Sequence, residues 1–287
     1  MIPAHNEGLV IGRLLDRLLP AGQVSGLTII VVANGCTDNT VEIASSFGPC
    51  VRVLSISTAS KRLALAAGDR AATGFPRVYA DADIEIGLAD IAALDAELAK
   101  PGVLAAAPDR IYALRECPWP IRWYYDIWSR LPQVRGGLFG RGVIAVNEEG
   151  HRRLAALPAL LADDLAASLS FDPSERSIAT GARVICHPPR RLADLVRRRI
   201  RVAVGVAQIE RSRQAPPSTA RTRPADLLAI LAASPVAAPR LALFVAVTIA
   251  TRLAARRAVA RGDYTTWLRD ESSRRPIGVT SSGRRSA

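Results

Sequence analysis

Residues 27–32, Leu-Thr-Ile-Ile-Val-Val, form a continuous apolar and β-branched run without polar alternation. This pattern is typical of a strand that is covered on both faces, as in a parallel sheet. The run leads into a turn rich in Asn, Gly, Thr and Asp at residues 33–40, and a helix is predicted over residues 41–47. A strand, a polar turn and a helix in that order place the turn at the carboxyl edge of the sheet, where ligands of open α/β folds bind.

The same alternation of strands and helices continues along the chain and predicts a doubly wound α/β sheet. With 287 residues, 49% of them hydrophobic, the chain can bury one sizeable core and a small appendage. Ile2 and Pro3 read as the end of a strand, so we expect either a very short first strand or a sequence that begins within one. The further predicted elements are helices over residues 5–19, 61–72 and 89–99, and strands at residues 51–56, 78–80, 103–107 and 143–146.

Two acids follow the apolar run at residues 78–80, namely Asp81 and Asp83. Alternation along an extended chain places both on one side, where they can share a cation. Mg²⁺ or Mn²⁺, completed by substrate phosphates and water, is the natural occupant. The structural alternative is that both acids cap the helix that begins near Gly87.

A second acidic pair, Asp163 and Asp164, stands where the next helix begins. Adjacent acids at a helix start interact well with the helix dipole, which is a sufficient structural explanation. In the functional alternative, hydrogen bonds fix one carboxylate and the other accepts a proton in the active cleft.

Two segments between these acidic pairs allow more than one interpretation. Residues 119–128 hold three tryptophans and two tyrosines, which either stack on a sugar ring or contact an apolar acceptor, or pack in the core, and core packing is favoured. Residues 135–142 are glycine-rich but lack the strand-to-helix context of a phosphate-binding fingerprint, so we predict a flexible turn beside the site.

The net charge of +12 is concentrated in arginines of residues 190–223 and 252–275. Such clusters suit nucleic acid, anionic lipid or a pyrophosphate substrate. The four cysteines lack C-x-x-C spacing, and the first residues lack the pattern of a signal peptide. A reduced protein in the cytoplasm is therefore expected.

The carboxy-terminal third is predicted to differ from the rest of the chain. Residues 227–231 and 241–250 are strongly apolar, but each is shorter than the ~20 residues that cross a bilayer, and Pro235, Pro239 and Arg240 separate them. A membrane-surface helix or hairpin and a helix packed on the catalytic domain are equally compatible alternatives. The predicted organisation is a catalytic domain at residues 1–210, a linker at 211–224, an apolar helical segment at 225–268 and a disordered tail at 269–287.

Four segments together resemble family 2 glycosyltransferases, which are inverting enzymes with a GT-A fold. They are residues 3–7 (Pro-Ala-His-Asn-Glu), 33–38 (Ala-Asn-Gly-Cys-Thr-Asp), 81–83 (Asp-Ala-Asp) and 163–164 (Asp-Asp). Their order and spacing across about two hundred residues carry the resemblance. It implies a Rossmann-like mixed sheet flanked by helices, followed here by a basic and apolar helical tail.

The resemblance also implies site roles. Asp164 matches the general base, and Asp83, with Asp81, would hold the metal, Mg²⁺ or Mn²⁺. The remaining residues implied to bind the substrate are Pro3, His5, Glu7, Asn34, Asp38, Lys61, Asp81, Asp163, Arg198 and Arg201.

Several positions depart from the family pattern. Ala33 stands where the family often has an acid, which leaves Asn34 to contact the nucleotide base. Ser60 replaces the glycine before Lys61. Residues 198–202, Arg-Arg-Ile-Arg-Val, resemble the Q-x-x-R-W motif of processive synthases but have Arg198 for glutamine and Val202 for tryptophan. The missing ring argues against a polymerising enzyme. Arginines on a solvated helix face are the structural alternative for this segment.

The sequence therefore predicts a metal-dependent, inverting and non-processive transferase at the inner face of the cell membrane. Its expected donor is a nucleotide-diphosphate sugar, with UDP preferred, and its acceptor is a lipid-linked or saccharide hydroxyl. No nucleic-acid partner is expected, because no aromatic residues are interleaved with the arginines. The alternative is an inactive basic module of the same fold that binds anionic lipid or nucleic acid.

Overall fold

The computed structural model describes residues 1–20, 26–157, 163–211, 222–261 and 272–274. It has seven strands and eleven α-helices in these ranges, and one-turn 3₁₀ helices at Gly48–Cys50 and Pro235–Ala237. In chain order the elements are β1 (Ile2–Ala4), α1 (Ile11–Leu18), β2 (Ile29–Asn34), α2 (Thr40–Ser45), β3 (Val51–Ile56), α3 (Lys61–Ala71), β4 (Arg77–Ala80), α4 (Leu88–Leu98), β5 (Ala105–Tyr112), α5 (Trp119–Arg130), α6 (Pro132–Gly136), β6 (Val143–Val146), α7 (Glu148–Ala155), α8 (Asp163–Leu169), β7 (Arg176–Cys186), α9 (Leu192–Arg211), α10 (Pro224–Ala233) and α11 (Ala238–Ala260).

The first three strands form a parallel sheet in the order β1-β2-β3. Val31 in β2 lies opposite Ile2 in β1 and Val53 in β3. All six residues of β2 are buried, because strands and helices cover it on every side. The prediction of a parallel strand from the continuous apolar run is confirmed.

The other four strands follow the order β4-β6-β5-β7, in which β6 is antiparallel to β4 and β5 while β5 and β7 are parallel. Backbone hydrogen bonds from Met1 N to Val78 O and from Ala80 N to Met1 O bring β4 alongside β1. The molecule therefore has the mixed α/β architecture that the resemblance implied, and the all-parallel sheet is limited to β1, β2 and β3.

The carboxy-terminal helices correct one prediction. Pro239 lies in the first turn of α11, where its missing N–H costs nothing, so it starts the helix and does not interrupt it. The stretch Pro235–Ala260 is one helical segment of 26 residues, long and apolar enough by length and composition to cross a membrane. The prediction that the second apolar run is too short is therefore wrong by length, whereas the predicted separation of the two runs is confirmed, because α10 ends at Ala233 and α11 begins at Ala238.

Helix α11 packs against α5 and α9 and buries one stripe: Phe244, Val247, Thr251 and Ala255. The alternative of a helix packed on the rest of the molecule therefore describes the buried stripe of α11. Residues 212–221 of the predicted linker lie outside the described residues. The predicted disorder from residue 269 is corrected at Ser272–Arg274, which form a turn against the domain.

Candidate active site

A cavity of about 490 Å³ opens at the carboxyl ends of the strands. Both acidic motifs contribute to its wall, together with residues from β1, β2, α3 and α9. The predicted site residues that line it are Pro3, His5, Glu7, Asn34, Lys61, Asp81, Asp83, Asp164, Arg198 and Arg201. Asp38 does not line it, and the side chain of Asp163 lies outside the described part of the chain.

At one end of the cavity, β1 and β2 are tied together by side chains. His5 Nδ1 lies 2.6 Å from the carbonyl oxygen of Asn34. The amide nitrogen of Asn34, which is 3% exposed, donates to Ala4 O at 2.8 Å. A ligand contact by Asn34 would therefore use its carbonyl oxygen Oδ1, since the nitrogen already bonds to the sheet.

Asp38 holds the neighbouring turns in place. Its carboxylate accepts hydrogen bonds from Gly8 N at 3.0 Å and from Thr40 N at 3.1 Å. Burial raises the pKa of Asp38, but the hydrogen bond from the Thr40 hydroxyl and these two backbone bonds outweigh burial and lower the pKa. The contacts seen for Asp38 are thus with the loop between β1 and α1 and with the start of α2.

The first acid of the D-x-D turn faces a lysine. Strand β4 ends at Ala80, and Lys61 Nζ lies 2.9 Å from Asp81 Oδ1. Ser60 is the N-cap of α3, since its hydroxyl accepts from Leu63 N at 3.3 Å. The serine that replaces the expected glycine therefore starts the helix whose first residue is Lys61.

The second acid, Asp83, faces two arginines. Arg274 Nη2 lies 3.0 Å from Asp83 Oδ2. Burial opposes ionisation of Asp83, but Arg274 and Arg198 outweigh it and hold the pKa of the carboxyl below its ordinary value. Asp83 is thus charged at neutral pH. Neither acid caps α4, whose N-terminus at Gly87 is capped by Asp90, so the structural alternative for the D-x-D turn is wrong.

The donor set of this turn fits a hard divalent ion. Within the described ranges, no three His, Cys, Asp or Glu side chains form a metal-binding group. Mg²⁺ and Mn²⁺ do not need such a cage, because one or two carboxylates with phosphate oxygens and water suffice. Asp81 and Asp83 both line the cavity and supply those carboxylates.

Asp164 lines the same cavity from the first turn of α8. Its Oδ2 accepts from Gly140 N at 2.9 Å and its Oδ1 from Leu165 N at 2.8 Å. Asp81 N in turn donates to Gly142 O at 2.7 Å. The loop of residues 137–142 therefore contacts both the D-x-D turn and Asp164, and it fixes their separation.

Two arginines hold this loop. Arg141 is 1% exposed and donates to Gly137 O at 3.0 Å, to Pro108 O at 2.8 Å and to Arg135 O at 2.7 Å. Burial lowers the pKa of Arg141 to about 10, which leaves it charged. Arg110 donates to the carbonyl oxygens of Phe139, Gly140 and Val134. The predicted turn does lie beside the site, because Gly140 and Gly142 line the cavity. Its predicted flexibility is corrected, because the guanidinium groups of Arg141 and Arg110 bind the carbonyl oxygens of Gly137, Phe139 and Gly140.

His187 is a cavity residue that sequence reasoning missed. It follows the last residue of β7, and its Nε2 lies 2.7 Å from Glu85 Oε1. Burial and the nearby Arg13 lower the pKa of His187 despite this hydrogen bond. The signal that would have found it is its place at the carboxyl end of a strand, but β7 itself was not predicted.

The arginines of α9 and the aromatic residues of α5 have different surroundings. Arg198 and Arg201 line the cavity, so the solvated-face alternative does not describe them.

Tyr124, Tyr125 and Trp128 of α5 are buried, and the ring centroids of Tyr124 and Phe244 lie 5.1 Å apart. The prediction of core packing is confirmed for these three rings.

Comparison with known families gives one match that covers half of the chain. Residues 1–151 match the sequence profile described as Glycosyl transferase family 2. The match includes three of the four motifs, up to the D-x-D turn, and the loop that contains Arg141. No curated protein matches the chain.

Solved structures share the fold. The mannosyltransferase PcManGT from Pyrobaculum calidifontis, in complex with GDP-Man and Mn²⁺, is 24% identical, with a TM-score of 0.58 over 91% of this chain and 77% of that one. Glucosyl-3-phosphoglycerate synthase from Mycobacterium tuberculosis, in complex with Mn²⁺, UDP and glucosyl-3-phosphoglycerate, is 21% identical, with a TM-score of 0.51 over 76% and 80%. At these identities the likeness concerns the fold.

Proposed function

The chain belongs to glycosyl transferase family 2, and from that premise we propose that it is a metal-dependent, inverting enzyme that moves one sugar from a nucleotide diphosphate to an acceptor hydroxyl. One observation carries the proposal. A single cavity is lined by the acids of the D-x-D turn, by the carboxylate of Asp164 and by the cationic side chains of Lys61, Arg198 and Arg201.

The donor diphosphate is proposed to lie against the D-x-D turn. Asp83 is the principal metal ligand and Asp81 the second, and the ion, Mg²⁺ or Mn²⁺, offsets the charge that develops on the departing diphosphate. The complexes of both similar structures contain Mn²⁺, which supports this class of ion. Lys61 and the two α9 arginines provide further positive charge, and guanidinium groups suit phosphate oxygens.

Asp164 is proposed as the general base. Removal of the acceptor proton makes the hydroxyl oxygen a nucleophile, which attacks the anomeric carbon as the bond to the diphosphate breaks. Because the attack comes from the side opposite the leaving group, the anomeric centre inverts. The proton passes to a carboxylate oxygen of Asp164.

The nucleotide is proposed to lie at the β1–β2 end, near Pro3, His5, Glu7 and Asn34. The two similar structures bind GDP-Man and UDP, so both bases belong in a donor panel, with UDP as our first choice. Asp38 shapes the loop beside this end, and Asp163 stays a predicted substrate contact. Val202 in place of tryptophan supports transfer of a single sugar, and the acceptor is proposed to be a lipid-linked or saccharide hydroxyl.

The exposed face of α10 and α11 is proposed to contact the cytoplasmic membrane surface. Leu228, Ile249 and Leu253 are 64%, 53% and 50% exposed, and Arg252 and Arg256 lie on the exposed part of α11. Apolar side chains beside basic ones favour an interface with anionic lipid. Such a position suits a lipid-linked acceptor.

The proposal is tested by donor binding followed by transfer. The purified protein is screened by thermal shift against UDP-, GDP- and TDP-sugars with Mn²⁺ or Mg²⁺, because a ligand that binds only the folded state raises its melting temperature. The best donor is then offered to lipid-linked and saccharide acceptors, and NMR assigns the anomeric configuration of the product. A folded sample that binds none of these donors, or a product with retained configuration, contradicts the proposal.

A further inference from the structure

Arg274 reaches into the active-site cavity from a part of the sequence far from every motif. Its guanidinium group binds Glu7 with two hydrogen bonds, Nε to Oε2 at 2.7 Å and Nη2 to Oε1 at 3.0 Å. The same Nη2 donates to Asp83 Oδ2 at 3.0 Å. One cation thus joins a carboxylate at the nucleotide end to the principal acid of the D-x-D turn.

The surroundings of Arg274 make this contact strong. The side chains of Arg274 and Glu7 are only 13% and 10% exposed, so water screens the pair weakly. A planar guanidinium group that makes two parallel bonds to a carboxylate is the best geometry available for such a pair. Arg274 is therefore held in the cavity by its pair with Glu7, and the bond to Asp83 follows from that position.

The neighbouring residues attach the same turn to the catalytic domain. Arg190 N donates to Ser272 Oγ at 2.9 Å, and Ser273 is 4% exposed. Arg190 precedes α9, which carries Arg198 and Arg201. The turn Ser272–Arg274 is thus bound both to the cavity and to the segment that leads into α9.

We infer that Arg274 is an intramolecular competitor for the metal ion, an autoinhibitory contact that closes the D-x-D site until the ion and the donor displace it. The inference rests on the proposed function, in which Asp83 holds that ion. The guanidinium group of Arg274 holds the position beside Asp83 Oδ2 that a divalent cation would occupy. A guanidinium group and a divalent cation that both contact one carboxylate also repel each other. In this inference the ion takes Asp83 Oδ2, so its binding requires Arg274 to leave that oxygen.

Titration of Mn²⁺ tests the competition directly. The EPR signal of free Mn²⁺ is followed as Mn²⁺ is added to wild-type protein and to Arg274→Ala, with and without UDP. If the contact is closed in roughly nine-tenths of the molecules, its removal tightens the apparent affinity for Mn²⁺ about tenfold. Arg274→Lys, which keeps the charge but loses the two-bond geometry, is expected to fall between them.

Arg70→Ala is the matched control, because Arg70 is exposed on α3, does not line the cavity, and its loss changes the net charge equally. It is expected to bind Mn²⁺ like the wild type. Equal affinities for Arg274→Ala and the wild type overturn the inference. Weaker binding of UDP by Arg274→Ala also overturns it, since Arg274 is then a diphosphate ligand. If no variant binds Mn²⁺ with or without UDP, the proposed function fails and the inference falls with it.

Hydrogen exchange tests the contact without any metal. Linkage is reciprocal, so Mn²⁺ with UDP should speed amide exchange in the peptide that contains Ser272–Arg274. Asp83→Asn, which removes one partner of Arg274, should speed it in metal-free protein. Exchange in metal-free wild type that is as fast as in an unfolded peptide overturns the inference and leaves the proposed function unaffected.

Discussion

Two backbone amides fix the carboxylate of Asp164. Gly140 N donates to Oδ2 and Leu165 N to Oδ1, both within 2.9 Å. A carboxylate oxygen has two lone pairs, so one amide bond to each oxygen fixes the plane of the carboxylate without itself preventing protonation. A base held in this way does not need to reorient at the moment of transfer.

We expect Asp164→Asn to fold normally and to lose turnover by about 10²- to 10⁴-fold, because the amide keeps an acceptor for Gly140 N but cannot take a proton. Steady-state kinetics should show the loss in kcat, with little change in the KM for the donor. Asp95→Asn, an exposed change on α4, is the control and should keep wild-type turnover. Full turnover of Asp164→Asn contradicts the assignment of the base.

His187 predicts a pH dependence of stability. Its pKa is lowered in the fold from the ordinary value of 6.5, so the unfolded chain takes up this proton at a higher pH than the folded chain. Its contribution is therefore fully present above pH 6.5 and is lost as the pH falls from there through the lowered pKa. Urea unfolding at about pH 7.5 and about pH 5.5 should show a smaller free energy of unfolding at the lower pH.

His187→Gln tests this assignment, because glutamine can donate to Glu85 but does not titrate. The variant should lose part of the pH dependence in that window. An unchanged difference between the two pH values means that other groups cause it.

At the scale of elements, the loop of residues 137–142 determines the geometry of the site. The sequence shows the glycines of this loop. It does not show that Arg141 donates to carbonyl oxygens of β5 and of the end of α6. Glycine content alone predicts flexibility, and only the tertiary contacts reverse it. Gly142 has a φ of +69°, and a Cβ there would lie 2.6 Å from Ile84, so the position needs glycine for both reasons.

Arg141→Met should lower the free energy of unfolding by about 2–4 kcal/mol, because the carbonyls of Pro108, Arg135 and Gly137 lose their buried donor. Urea denaturation measures the change. Arg122→Met, at an exposed position on α5, is the control and should stay within about 0.5 kcal/mol of the wild type. A loss no larger than that of the control means that the loop does not depend on Arg141.

The strands differ in how well the sequence predicted them. Strand β2 was predictable because all its residues are buried, which leaves a continuous apolar run. Strand β7, Arg176–Cys186, was missed because its burial is irregular and Gly181 interrupts its apolar residues. Missing β7 also hid His187, which follows its last residue.

At the scale of the whole molecule, the cavity combines residues from the first strand to the turn at Arg274. The acids were predictable because each directly follows a strand or begins a helix. Arg274 was not, since it is one arginine among many in a basic carboxy-terminal region. Its role depends on a contact between residues 191 positions apart, which no local pattern encodes.

The exposed apolar face of α11 predicts that the whole molecule binds to a membrane surface. Leu253 is half exposed on the face opposite the buried stripe, next to Arg252. Leu253→Glu should reduce binding to vesicles that contain phosphatidylserine by about tenfold or more, since burial of a leucine stabilises by about 1.5–3 kcal/mol. Co-sedimentation with vesicles measures the bound fraction. Leu63→Glu, on the exposed side of α3, makes the same chemical change away from α11 and should bind like the wild type. If the two variants bind equally, α11 does not contact the membrane, and its apolar residues serve only the packing on α5 and α9.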